Sequence, residues 1–345
     1  MIFPWHKSAW ERITQSADSL HHGLLVQSAP GSGLDEFCFT LARWLICDAV
    51  AKTREDRCGN CQSCRLFDAG THPDIHVLTT EQQATGSAID LVRAYSDRYL
   101  DRNEIAKKSR PGTVISVEQV RSMIERLALG SHISSRRVGL VMPADALNVS
   151  AANAFLKLLE EPPPGVIFIL GTDQPWRLPR TIISRCVKVD LDRPSEQQSL
   201  DWLADIMEPS AARNALALAH GGPQRARELH ESGALADMEN YISGLQGVIE
   251  HRVLPVALAP AAAKLDFEQS LRWFQKFVAA ALGWCLGREI ADFPLEIQRD
   301  RQSVSVPRLF SLYDKITQYQ RIARGNVNQQ MVHEELLIFL ERTAR

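Results

Sequence analysis

Four thiols and one glycine-rich turn are the residues of this chain whose types and spacing could do chemistry. Cys47, Cys58, Cys61 and Cys64 stand as C-x10-C-x2-C-x2-C. Two intervening residues let neighbouring thiolates turn onto one ion, and Cys47, closing a helical pattern, supplies the fourth corner of a tetrahedron. Four sulfur ligands leave no open position for water, so the spacing points to a structural zinc module rather than a catalytic metal. An iron–sulfur cluster is the chief rival, but it wants a further Cys followed by Pro that "CRLFDAG" lacks; unligated thiols are the third reading. His72 and His76 in "GTHPDIH" lie close behind and are expected to cap or fill. Cys38, Cys186 and Cys285 stand alone in apolar settings, where a free Cys behaves as a small buried hydrophobe.

The turn is "SAPGSGLD", Ser28 to Asp35. A working phosphate loop reads G-x-x-x-x-G-K-[ST]: backbone N–H groups cradle phosphate, Lys reaches the outer phosphates and the hydroxyl binds Mg²⁺. Here Ser28 takes the first glycine slot, with Gly31 inside the loop and Gly33 in the second. Leu34 removes the cation, and Asp35 puts a carboxylate where it repels triphosphate. Acids closing a later strand are needed to hold Mg²⁺, yet "RVGLVMPADALN" ends on Met142 and Pro143, with Asp145 too late. Both halves of the hydrolytic machinery are missing, so no ATP hydrolysis is expected in this site.

The elements that position these residues follow from hydropathy. "HGLLVQSAPGSGLDEFCFTLARWLIC" is a strand, a turn and a helix in series. Further buried strands are expected at 75–78, 137–142, 166–171 and 186–191, alternating with helical patterns such as "VEQVRSMIERLAL" and "SAANAFLKLLEE". The latter must stop at "PPPG". Alternation of this kind predicts an α/β domain with a mainly parallel sheet. Residues 79–112 are expected to form a mobile, partly helical surface insertion with an amphipathic middle (Ile89, Val92, Tyr95, Tyr99). Beyond 191 strand signals fade. Helical domains are expected at 192–233 and 234–345, divided by polar breaks. With 345 residues, 45% hydrophobic content and a net charge of -2, the chain is not a basic nucleic-acid coat. It has neither a leader-like start nor an apolar run of membrane length, so a cytoplasmic protein is expected.

"GLLVQSAPGSGLD", the four Cys, "GTHPD", "NAFLKLLEEPP" and "LPRTIISRC" occur in the order seen in bacterial clamp-loader subunits of the AAA+ superfamily. With "PWHKSAWERI" and the degenerate loop, the chain resembles the delta-prime family of DNA polymerase III, not the ATP-hydrolysing gamma/tau subunits. The resemblance is dense over 1–78 and 113–191 and thins beyond. It implies a RecA-like AAA+ domain at 1–191, a helical lid at 192–233 and an all-α collar at 234–345. It implies membership of a hetero-pentamer with gamma/tau and delta, which loads a sliding clamp onto primed DNA. The chain would be a stator within the polymerase holoenzyme and no enzyme on its own.

In the family's Ser-Arg-Cys motif, here Ser184, Arg185 and Cys186, the resemblance assigns Arg185 as a finger acting on a neighbour's ATP. From the tripeptide alone, an Arg paired with a local carboxylate is the commoner meaning. Thr172 and Arg225 fall at sensor positions and are expected to be vestigial or structural. Lys157 and Glu160 belong to a core-packing helix, and the basic clusters at 106–110 and 135–137 are expected to be solvated turns. "SLRWFQKFVAAALGWCLG" (270–287) is apolar on more than one face, for packing inside a domain or against a partner. Two other functions compete: an AAA+ ATPase tolerating an unusual loop, and a stand-alone zinc-dependent nucleic-acid-binding protein.

Overall fold

The five apolar runs are five strands: β1 (Gly23–Gln27), β2 (Ile75–Leu78), β3 (Arg137–Val141), β4 (Val166–Thr172) and β5 (Val187–Asp190). They form one all-parallel sheet in the order β2-β3-β4-β1-β5. The computed structural model describes residues 2–16, 19–47, 57–87, 89–108, 111–130, 132–288, 297, 300–322 and 327–344.

Parallel strands need crossovers, and helices on both faces bury both sides of the sheet. Leu24, Val26, Ile167 and Ile169 face one layer, formed by α1 (Lys7–Gln15) and α2 (Leu34–Ile46). Leu25, Phe168 and Leu170 face the other. Gly139 in β3 makes room there, because a Cβ would come within 2.7 Å of the Phe168 ring. Trp10 of α1 meets Trp44 and Phe37 of α2 edge-on, at 5.8 and 6.1 Å between centroids. Each buried aromatic of this size contributes about 1.5–3 kcal/mol.

The short helix α3 (Gln62–Asp68) follows the last cysteines of the thiol cluster. After β2 come three more short helices, α4 (Glu81–Gly86), α5 (Asp90–Ser96) and α6 (Arg102–Lys107), so the insertion expected at 79–112 is helical in part, as its pattern indicated. Only the outer two are surface features. In α5, Val92 and Tyr95 are buried in the core beside Phe67 of α3. The Tyr95 hydroxyl donates to the Phe67 carbonyl at 3.1 Å. Arg98 donates to the carbonyls of Ile75 and His72, both at 3.0 Å, and so fastens the insertion to the edge strand β2. The amphipathic pattern is real, and its apolar side is spent on the core. Ser109 and Arg110 of the basic cluster lie outside the described residues.

Helix α7 (Val117–Ala128) opens on a capping box between Ser116 and Gln119. Helix α8 (Val149–Glu160) is capped by Asn148, whose side chain accepts from Ala151 N at 2.7 Å, and stops before three prolines. A one-turn helix, α9 (Arg180–Ile183), seats Ile182 in the same layer and leads into β5.

The chain divides into two units, residues 1–199 with 222–224, and residues 200–221 with 225–345. Helix α10 (Glu196–Leu203) spans the first boundary. The second unit adds α11 (Pro209–Leu218), all but the first two residues of α12 (Pro223–Glu231), α13 (Ala234–Ile249), α14 (Pro255–Ala262), α15 (Phe267–Cys285), α16 (Val306–Ile322) and α17 (Gln329–Glu341). One apolar cluster runs through it from Leu203 to Ala344. Helix α15 is its central element, with Leu271, Phe274, Phe277 and Val278 fully enclosed. The apolar faces of "SLRWFQKFVAAALGWCLG" are thus used inside this unit. His333 of α17 is buried there between Ser270 Oγ, at 3.0 Å, and the Gln329 carbonyl, at 2.8 Å. No helix among the described residues is long and apolar enough to cross a membrane.

Candidate functional site

The four sulfurs of Cys47, Cys58, Cys61 and Cys64 come together, all within 4.8 Å of one another. Cys58 Sγ and Cys64 Sγ are 4.0 Å apart. A metal held by four sulfurs at about 2.3 Å has sulfur–sulfur edges of about 3.8 Å, so the donor set fits a tetrahedral ion. Cys61 N donates to Cys58 Sγ at 3.4 Å and Cys64 N to Cys61 Sγ at 3.3 Å. The N–H groups of Cys61 and Asn60 hold the Cys58 thiol down to about 6, whereas burial pushes Cys64 up. Four thiolates this close repel one another, and a divalent cation cancels that charge.

Neither nearby histidine joins this cluster. His72 is buried, with Nε2 at 3.2 Å from Ser134 Oγ and Nδ1 accepting from Asp74 N at 3.1 Å. His76 meets the Tyr99 hydroxyl, and burial together with Arg98 pushes its pKa down to about 4, leaving it neutral. The lone thiols part company: Cys38 is fully buried, as expected, while Cys186 and Cys285 are partly exposed.

Asp74 is a structural residue that spacing did not single out. Its carboxylate accepts from the N–H groups of His132, Ile133 and Ser134 at 2.8, 2.9 and 2.9 Å. Burial would push this carboxyl up, but the three N–H groups and His72 outweigh it and hold it below its usual value. Ser134 also bonds the Ile46 carbonyl at 3.3 Å and Ser63 Oγ at 3.1 Å. The "GTHPD" motif is therefore a buried latch between the thiol cluster and the loop entering β3. Its one signal in sequence is an Asp two residues after a His beside a strand.

The phosphate loop follows β1, and its Ser28 N approaches the Thr172 carbonyl of β4 at 3.4 Å. Gly31 and Gly33 take positive φ of 71° and 94°. A Cβ on Gly33 would collide with the Phe3 ring, which stacks on Trp5 at 4.9 Å. The Trp5 indole donates to the Ser32 carbonyl at 2.9 Å, and Ser32 Oγ turns onto the Ala29 carbonyl at 2.8 Å. The Gly31 carbonyl accepts from Gln224 N at 3.0 Å. Beside the loop His6 is fully buried among the rings of Phe3, Trp5 and Phe37, and burial pushes it down to about 4. Leu34 begins α2, and Asp35 accepts from Gln83 Nε2 of α4 at 2.6 Å. The first turn of α2 thus carries its own anions, Asp35 and Glu36, at the end where a helix attracts one.

Thr172 donates to Asp145 Oδ1 at 2.7 Å, which occupies the sensor-position hydroxyl with a local acid. Burial, then the Asp145 charge, push Asp173 up. Arg225 pairs with Glu228 at 2.9 Å within its own helix. Glu160, at the end of α8, does more than pack. It holds Arg185 Nη2 at 2.7 Å, with the two side chains 49% and 37% exposed. Arg185 Nη1 also donates to the Thr181 carbonyl at 2.9 Å. Arg185 stands beside Gly23, at the start of β1, whereas the phosphate loop leaves the other end of that strand. Five residues of strand separate them by roughly 13–17 Å.

A model of the family described as DNA polymerase III, delta subunit, matches residues 5–195. The DNA polymerase III subunit delta' of Yersinia pestis is 30% identical over 98% of this chain and 95% of its own length. The chain belongs to the DNA polymerase III delta' family. The Pseudomonas aeruginosa delta' subunit is 29% identical over 98% of the chain and 96% of that protein. A gamma subunit-related protein from Thermotoga maritima superposes with a TM-score of 0.51 over 98% of this chain and all of its own, at 14% identity, and so shows the fold alone. In this delta' family member the glycine-rich turn and the thiol cluster lie within the matched region.

The Asp74 latch has a pH signature. Because the folded carboxyl titrates below the unfolded one, its stabilisation is complete above about pH 4 and drains away as pH falls through the lowered folded value. Asp74→Asn should cost about 2–4 kcal/mol in urea unfolding at pH 7 and flatten the loss of stability below about pH 4. An unchanged acid profile would show that the latch does not depend on charge.

Proposed function

We propose that this chain is a non-hydrolysing stator of the DNA polymerase III clamp loader, with Arg185 completing the nucleotide pocket of a neighbouring subunit. The observation behind this reading is the placement of two groups at opposite ends of the paired strands β1 and β5. The phosphate loop at one end of β1 is filled by the chain's own Phe3, Trp5 and Asp35–Gln83 contacts. Arg185 stands at the other end, too far away to serve that loop.

Its pair with Glu160 suits a finger at rest. An exposed ion pair is worth about 0–1 kcal/mol, so a triphosphate of higher charge in a drier pocket displaces the carboxylate at little cost. Glu160 is a positioning residue that holds the guanidinium extended beside Ser184. The neighbour is a gamma/tau subunit, whose working loop supplies the ATP. With delta these subunits form a hetero-pentamer that opens the sliding clamp for primed DNA in the cytoplasm. Residues 192–233 serve as lid and 234–345 as collar.

The ion at Cys47, Cys58, Cys61 and Cys64 is zinc. Four thiolates select a soft tetrahedral ion, and closed coordination gives it a structural role, supporting α3 and, through Phe67 and Tyr95, the insertion. Metal analysis should find one zinc per chain. Cys61→Ser should lose it and several kcal/mol of stability, whereas a metal-free native protein of equal stability would remove this role.

Reconstitution with the partner subunits tests the finger. Arg185→Ala should lower DNA-stimulated ATP turnover, by at least about 10²-fold at the site it completes, and Arg185→Lys should not restore it, since Lys lacks the planar fork. Equal turnover by the Ala variant and the parent would refute the trans role.

A further inference from the structure

Between Thr172 and β5 the chain runs back along the sheet from the C-terminal end of β4 to the N-terminal end of β5. From Asp173 to Cys186 this crossover contains three cations, Arg177, Arg180 and Arg185, against one acid, Asp173; Arg177 lies 3.9 Å from Asp145 and Arg185 pairs with Glu160. Its inner side is anchored by Leu178 and Ile182, which are buried in the core. Its outer side is exposed at Trp176, Arg177, Pro179, Arg180, Thr181 and Ser184, with Arg185 half-buried. Trp176, in the single 3-10 turn Pro175–Arg177, is 75% exposed, and Val187 beside the finger is 48% exposed. The turn is held firmly: Arg177 N donates to the Gln174 carbonyl at 3.0 Å and Leu178 N to the Pro175 carbonyl at 3.2 Å, with Pro175 and Pro179 on either side.

A rigidly presented tryptophan with this much apolar surface in water is unfavourable for a chain on its own. Trp and Arg are the residues that dominate binding energy when they enter a partner's pocket. We propose that this crossover is the strip that seats the ATP-bearing neighbour, with Trp176 as its anchor and Arg185 as its reactive end. This rests on the reading of Arg185 as a trans finger. The partner face is an apolar pocket with bound triphosphate at its far end, because the strip offers one large exposed apolar group, Trp176, and cations in excess of its one acid. A single-strand DNA platform stacks successive bases on several aromatic rings; Trp176 is the one aromatic residue in the sequence of this crossover.

The test uses the full chain and the ATP-hydrolysing partner subunit. Trp176→Ala, Trp176→Phe and Arg185→Ala are compared for affinity by sedimentation and for ATP turnover at saturating partner, with melting temperature as the folding control. Trp176→Ala should weaken binding at least tenfold, with turnover largely recovered at saturation, and Trp176→Phe should restore most of the affinity. Arg185→Ala should change affinity less than about threefold and lower turnover. Parent-like partner binding by Trp176→Ala overturns the anchor, and a simultaneous drop in its binding to single-stranded DNA would reassign the strip to nucleic acid. If Arg185→Ala turns over ATP normally while Trp176→Ala still binds weakly, the finger fails and the anchor stands.

Discussion

The hydrogen bond between Asp35 and Gln83 sets the character of this molecule. A helix that starts after a glycine-rich turn presents unpaired N–H groups and the positive end of its dipole, which in a working phosphate loop receive an anion from outside. Here the first turn of α2 supplies Asp35 and Glu36 itself, and an amide from α4 satisfies Asp35 at 2.6 Å. On the other side the Phe3 ring lies against Gly33, and the Trp5 indole takes the Ser32 carbonyl. The loop keeps the left-handed glycine a phosphate cradle requires, at φ 94°, with an acid of the chain's own at the helix start and the Phe3 ring against it.

A filled loop leaves the fold free to serve a partner. The parallel sheet still brings the ends of β1 and β4 together, as nucleotide binding would require, but Thr172 spends its hydroxyl on Asp145. What remains presented is at the opposite end and along the flank: Arg185, partly exposed on a pair with Glu160, and the crossover bearing the exposed Trp176. Rigidity is then the property this half of the molecule needs. The thiol cluster, the Asp74 latch and the buried side of α5 meet on one side of the sheet and stiffen it through Ser134, Phe67 and Tyr95.

The parts legible in the sequence were those encoded locally. Apolar runs bounded by turns marked all five strands, the proline triplet ended α8, and x2 spacing gathered Cys58, Cys61 and Cys64. Contacts between distant residues were not legible. Gln83 and Asp35 lie 48 positions apart, and Asp74 and Ser134 60 apart, with nothing in either neighbourhood to specify the other. The insertion shows the limit most clearly. Its polar ends suggested a loose surface segment, while Val92 and Tyr95 had the apolar spacing of a core helix that could not be weighed without knowing what faced it. For Arg185 the local carboxylate expected from the tripeptide alone is there, as Glu160.

Equilibrium titration of the purified, isolated chain with ATP and magnesium, followed by an assay for released phosphate, tests the central claim most directly. A loop already filled by its own side chains predicts no saturable binding up to millimolar nucleotide and no turnover. Stoichiometric binding in the micromolar range, lost when Gly33 is replaced, would contradict it.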